Sequence, residues 1–157
     1  MGAVHPDKTR LVDFRPKKKP TLASGETELA TTFQFLGFLH VWGKSRKGNA
    51  VVRQQTAKDR FARALRAINE SCRRMMHTPL PYQHRRLSQM LKGHMAYFAI
   101  SGNFRRIAGL IRRAQQQWRY WLSRRSSSSR VTWEAFERIA QRFPLPRPRI
   151  VHCYIGS

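Results

Sequence analysis

A change of hydrophobic period near Thr56 constrains this chain more than any other feature. Downstream, apolar side chains recur three and four residues apart: Ala57, Phe61, Ala64, Leu65, Ile68, Cys72 and Met75. That spacing collects them on one face of a helix. Arg63, Arg66, Arg73 and Arg74 fall on the opposite face. Thr56 followed by Asp59 predicts a helix start of the capping-box type, with Asp in place of the usual Glu. Thr78 with Pro79 predicts a second start, and its stripe is Leu80, His84, Leu87 and Leu91. Gly93 marks either its end or a close-packing point. A third helix is expected from Asn103, with Ile107, Leu110, Ile111, Ala114, Trp118, Trp121 and Leu122 on one face. Thr132 caps a short fourth helix that turns Trp133, Phe136, Ile139, Ala140 and Phe143 inward. Pro144 stops it, and the alternating prolines up to Ile150 require an extended chain.

Upstream the pattern is different. Thr9–Phe14 is a short strand candidate, and Arg15–Ser24 is a Pro- and Lys-rich connector. Thr31–Trp42 is rich in β-branched and aromatic residues and reads as a strand, with Gly37 marking a bulge or a close backbone approach. Gly43–Asn49 is a turn signal, and Ala50–Gln54 is its return strand, which makes a basic-tipped hairpin. The expected fold is mainly α: a short N-terminal β-hairpin appendage over residues 1–55, then a three- to four-helix bundle over 56–152.

Charge decides what such a bundle is for. Of 157 residues, 31 are Lys or Arg and only 8 are Asp or Glu, a formal net charge of +23. With 41% apolar residues the chain has a core to build, which separates it from a disordered basic tail. So much charge of one sign repels itself and calls for a polyanion, which disfavours a small-metabolite enzyme. Residues 71–131 hold no acid at all, so the Lys and Arg there lack the mixed signs of an ordinary solvated face. The helical region favours Arg over Lys, and Arg both grips phosphate with two bonds and stacks on bases, which suits RNA. The apolar runs near Phe35–Trp42 and Met95–Ile100 are too short to span a membrane, so no membrane partner is expected. Residues 1–20 lack the apolar stretch of a secretory signal, and Cys72 and Cys153 stand apart, which together read as a cytoplasmic chain with two incidental thiols.

Chemistry-bearing clusters are missing. Asp59, Glu134 and Glu137 sit at helix starts, where they favour the helix dipole. His5, His40, His77, His84, His94 and His152 are scattered, and Gly43–Gly48 lacks the phosphate-loop form. No catalytic residue and no metal ligand is assigned. His84 reads as a satisfied core or interface residue. His94 is open between an RNA contact and a structural role. Trp118 and Trp121 read as core, and Tyr97 and Tyr120 as candidates for base stacking.

Several strings resemble the C-terminal part of a group II intron reverse transcriptase of the bacterial type. They are His5–Phe14, Phe33–Phe38 with His40 and Trp42, and then Leu91–Asn103, which is similar to the signature of the maturase-specific domain. Leu122–Arg125, Thr132–Phe136 and Phe143–His152 follow in the family's order. The resemblance implies that Lys8 falls in the palm near an incoming nucleotide. It implies that Phe35, Leu36, Gly37 and Phe38 form a primer-grip-like hairpin, and that the helices are the thumb or maturase domain. The family's Tyr-x-Asp-Asp box is absent, so polymerisation by this chain alone is not expected. Mg²⁺ is expected only for the full-length polymerase or for the intron RNA, and the chain is expected to hold no cofactor. Met95, Phe98 and Ala99 depart from the signature's usual Tyr, Tyr and Gly.

Charge pattern and resemblance together make the RNA-contact candidates Lys8, Arg10, Lys44, Arg46, Lys47, Arg73, Arg74, Arg85, Arg86, Lys92, His94, Tyr97, Arg105, Arg106, Arg112, Arg113, Arg119, Arg124 and Arg125. The expected partner is group II intron RNA, with a template–primer duplex in a full-length context and an N-terminal reverse transcriptase fragment as a further one. The expected function is a maturase module that stabilises intron RNA for splicing and mobility. Its alternatives are a polymerase fragment active only with its missing N-terminal part, a generic basic RNA-binding protein and a non-functional remnant.

Overall fold

The computed structural model describes residues 32–128 and 130–153. A three-stranded antiparallel sheet is followed by four helices. The strands are β1 (Thr32–Phe35), β2 (Phe38–Lys44) and β3 (Ala50–Thr56), in the order β1-β2-β3. The helices are α1 (Lys58–Arg74), α2 (Leu80–Phe98), α3 (Phe104–Leu122) and α4 (Trp133–Arg142). The mainly helical fold with a β hairpin at its N-terminal side is therefore present. The Thr9–Phe14 strand, the connector, Lys8 and Arg10 lie outside the described residues.

The Thr31–Trp42 segment is two strands rather than one. Phe35 pairs with Phe38, and the two residues between them turn the chain. Leu36 has φ 49° and Gly37 φ 82°, the signs of a type I′ turn, whose twist matches that of the flanking strands. The strand reading missed this because Leu is a poor signal for a position with positive φ. The turn holds because its carbonyls are tied to the helices. The Tyr97 hydroxyl donates to the Leu36 carbonyl at 2.9 Å, and the Ala57 N–H donates to that of Gly37 at 2.9 Å. The second hairpin is as expected, with Phe38–Lys44 paired along Ala50–Thr56.

Helix starts differ in detail from the expectation. Thr56 does not cap α1; it closes β3, and Ala57 stands at the N-cap with no side-chain bond. Thr56 is instead locked to Asn103, a fully buried residue between α2 and α3. The Thr56 N–H donates to Asn103 Oδ1 at 2.9 Å, while Asn103 Nδ2 donates to Thr56 Oγ1 at 2.7 Å and to the Phe98 carbonyl at 2.6 Å. All the amide's hydrogens are used, so the sheet is fastened to the helices by a saturated polar junction. Pro79 rather than Thr78 is the N-cap of α2. Gly93 does not end that helix, which runs on to Phe98. Thr132 caps α4 as expected, accepting from the Ala135 N–H at 3.2 Å.

The core lies between the helices. Ile68, Cys72, Met75, Leu87, Leu91, Met95, Ile107, Leu110, Ala114, Trp118, Leu122, Phe136 and Leu145 form one buried cluster. Trp118 is its largest fully buried side chain. The indole N–H donates to Gln83 Oε1 at 2.8 Å, and Gln83 Nε2 donates to the Thr78 carbonyl at 2.8 Å. Trp121 is half-buried at the edge and donates to Asn69 Oδ1 at 2.8 Å. Burial pushes the Cys72 thiol up to about 12, which keeps it protonated and unreactive. After α4 the proline-rich segment runs back along α2. The His84 ring donates to the Pro144 carbonyl at 2.8 Å, and the Val151 and His152 N–H groups reach the Ala99 carbonyl at 2.8 and 3.0 Å. The lengths agree. Eight residues of polyproline-type chain span about 25 Å, and the fifteen helical residues from His84 to Ala99 span about 22 Å. Among the described residues no helix is long and apolar enough to cross a membrane.

Candidate nucleic-acid interface

The arginines of α3 divide by helical position. At 100° per residue, Arg106 and Arg113 share the flank of Trp121, the side turned to α1, and Arg124, two residues past the end of α3, joins them by lying 4.7 Å from the Tyr120 ring on that side. Arg105, Arg112 and Arg119 share the other flank. Each tandem pair thus sends one arginine to each side. On α1, Arg66 and Arg73 share the flank of Asn69, the residue that meets Trp121. The α1–α3 seam is therefore bordered by arginines from both helices. Tyr120 lies on the same side, 47% exposed, with the Arg124 guanidinium 4.7 Å from its ring centre. An exposed ring carrying a guanidinium is a stacking platform for a base, set beside charges for the phosphates.

The other flank is partly occupied. Arg119 donates to the Val131 carbonyl at 2.9 Å and lies 4.1 Å over the Trp133 ring, so it fastens the 123–133 connection to α3. Arg125 donates to the Thr78 carbonyl at 2.8 Å. Arg73 and Arg74 both reach Glu70, at 2.8 Å for the shorter bonds. Their hydrogen bonds, Arg73's first, hold the Glu70 carboxyl down to about 2. The acid-free stretch thus begins one residue after the carboxylate that pairs with its first two arginines, which keep a net charge of about +1. Arg85, Lys92, Arg105, Arg112 and Arg113 are exposed and have no acidic partner among the described residues. Lys44, Arg46 and Lys47 are exposed around the β2–β3 loop. Arg86 sits with Tyr82, Glu70 and Arg74 in a groove between α1 and α2.

A second feature joins residues that lie far apart in the chain. Leu36 and Gly37 of the first turn, Arg60, Arg63, Ala64 and Ala67 of α1, and His94, Tyr97 and Phe98 of α2 line a cleft of about 470 Å³. The turn and the α2 signature, both singled out in the sequence, are thereby brought to one place. Leu36 is exposed at its rim, and the Phe38 ring stacks on Tyr97 at 5.7 Å. His94 stacks on Phe98 at 4.6 Å, and burial holds its imidazole down to about 4, so it is neutral at pH 7. Arg60 was not among the sequence candidates. The signal was there, because Arg60, Arg63 and Ala67 are spaced along one side of α1. Arg53 was missed as well; with Phe104, Arg105 and Arg106 it lines a recess of about 580 Å³ where β3 meets α3.

No family model, curated protein or solved structure matches the chain. Among the described residues no group of His, Cys, Asp and Glu is placed to hold a metal ion. What the surface offers is unopposed positive charge, guanidinium forks and exposed rings.

Proposed function

We propose that this chain is an RNA-binding maturase module of the group II intron type, acting in a bacterial cytoplasm. It would bind structured intron RNA and stabilise the fold in which that RNA splices, with the chemistry left to the RNA. The observation that carries the reading is the α1–α3 seam, bordered by Arg66, Arg106, Arg113 and Arg124 with Tyr120 among them. Such a row can follow the phosphates of an A-form strand, whose recognition depends on shape and backbone more than on base edges. The family part rests on the resemblance carried by His5–Phe14, by Phe33–Phe38 with His40 and Trp42, and by the blocks from Leu91–Asn103 to Phe143–His152.

Titrating a group II intron RNA and an unrelated structured RNA of equal length across a salt series tests both parts. Binding is expected to weaken linearly in log–log form, by about 0.9 in slope per phosphate contact made. The intron RNA is expected to bind at least about tenfold tighter at the highest salt, where non-specific contacts fade. Equal affinity for both RNAs would leave a generic basic RNA-binding protein and remove the maturase assignment.

The rigid, exposed hairpin tip favours a second reading, in which the chain rebuilds a polymerase with a separately made N-terminal reverse transcriptase fragment. There the tip would meet the template–primer duplex. Mixing the two is expected to raise primer extension over the N-terminal fragment alone, and no gain would reject this reading.

A further inference from the structure

Resting on the RNA-binding reading, we propose that the cleft between the first β-turn, α1 and α2 takes a single unpaired nucleotide of the bound RNA. Its base would lie against Tyr97, its edge would meet His94, and its flanking phosphates would meet Arg60 and Arg63. Four independent observations converge on this. The cleft has the size of a small-ligand site, about 470 Å³, and no acidic residue lines it. Two arginines on its α1 wall supply phosphate contacts; Arg60's nearest carboxylate is Asp59, at 3.9 Å on the exposed surface. Tyr97 is 53% exposed although its hydroxyl is anchored to the Leu36 carbonyl, so the ring is held in place with area to spare for stacking. Nε2 of His94 is buried and has no hydrogen-bond partner among the described residues.

His40, Ser88, Gln117 and Arg119 also carry a buried polar atom without a partner among the described residues, but only the nitrogen of His94 belongs to a residue lining this cleft. A buried polar atom without a partner is unfavourable, and a base edge, which carries both donors and acceptors, would satisfy it. A neutral imidazole suits this role better than a charged one, because it presents one donor and one acceptor. The turn supplies the far wall. Leu36 is held at positive φ, and Gly37 brings backbone close to the Arg60 stem and the Phe98 ring, each 3.5 Å from where a Cβ would stand. A duplex is too wide to enter, so the nucleotide must be extruded from its stack.

The test compares two hairpin RNAs of matched length, one fully paired and one with a single unpaired base, using the wild-type chain and His94→Phe. The variant keeps a ring to stack on Phe98 and removes the nitrogen. The wild type is expected to bind the bulged RNA roughly tenfold tighter, the scale of one stacked base. His94→Phe is expected to lose that preference while binding the paired RNA as before. Equal wild-type affinity for the two RNAs, or a preference that survives the substitution, would overturn the proposal. Independently of any variant, 2-aminopurine at the bulge should be quenched when wild-type chain is added; unchanged emission would also overturn it. Failure of the wild type to bind either RNA in a salt-sensitive way would instead reject the RNA-binding reading beneath it.

Discussion

Changing Arg106, Arg113 and Arg124 together to Glu is expected to weaken RNA binding by about 100- to 1,000-fold at moderate salt. Three attractive contacts are lost, and three repulsive ones face the phosphates in their place. The log–log salt slope should fall by about three, since three fewer counterions are released per complex. These side chains stand at the rim of the seam, so the helix content of the variant should match the wild type. The informative control is Arg105→Glu with Arg112→Glu on the opposite flank of α3. That flank also holds Arg119, which is engaged with the Val131 carbonyl and the Trp133 ring. The control is expected to lose less per residue. Equal losses from the two flanks would mean that the chain binds by diffuse charge and that the α1–α3 seam is not a face in its own right.

Much of this arrangement is legible in the sequence, for reasons that differ by element. The helices are strongly periodic, so the inward residues of α1 and α3 can be read from spacing alone, whereas Trp133 of α4, expected to turn inward, is 49% exposed and carries the Arg119 guanidinium on its ring. The boundaries could not be read as well. Thr56 and Thr78 both have the chemistry of a helix cap, yet Thr56 is drawn into a bond with a residue 47 positions away, and Thr78 donates back to the Met75 carbonyl at 2.6 Å. Local propensity cannot foresee a partner supplied by the tertiary fold. The type I′ turn at Leu36-Gly37 was hidden for the same reason, because the groups that hold it, Tyr97 and Ala57, lie on other elements.

The candidate interface was legible as a composition but not as a surface. Counting arginines on α3 treats Arg112 and Arg113 as equivalents, whereas 100° of helix separates them and puts them on different flanks. Nor does charge reveal which arginines are already engaged. Arg119 and Arg125 bond to backbone carbonyls, and Arg73 and Arg74 share Glu70. The cleft at the first turn joins residues 36–37, 60–67 and 94–98, and no pattern within any one of these segments shows that they meet.

Trp118→Ala should destabilise the chain more than any single surface change. Emptying the site of a fully buried aromatic side chain costs about 3–5 kcal/mol. Here the indole also satisfies Gln83 Oε1, so its loss strands a buried acceptor at about 1–3 kcal/mol more. It further removes the edge-on partner of Phe136, 5.6 Å away, through which α4 is packed to the rest of the core. The sum approaches the whole stability of an ordinary domain, about 5–15 kcal/mol. A urea titration followed by far-UV circular dichroism should therefore show a large fall in midpoint with an unchanged slope. Trp118→Phe keeps a ring against Phe136 but deletes the donor to Gln83 and part of the buried volume, so a loss smaller than that of Trp118→Ala is expected. Trp121→Phe, at a half-buried site, should cost about 1 kcal/mol. If Trp118→Ala cost no more than Trp121→Phe, the bundle would not be organised around this side chain.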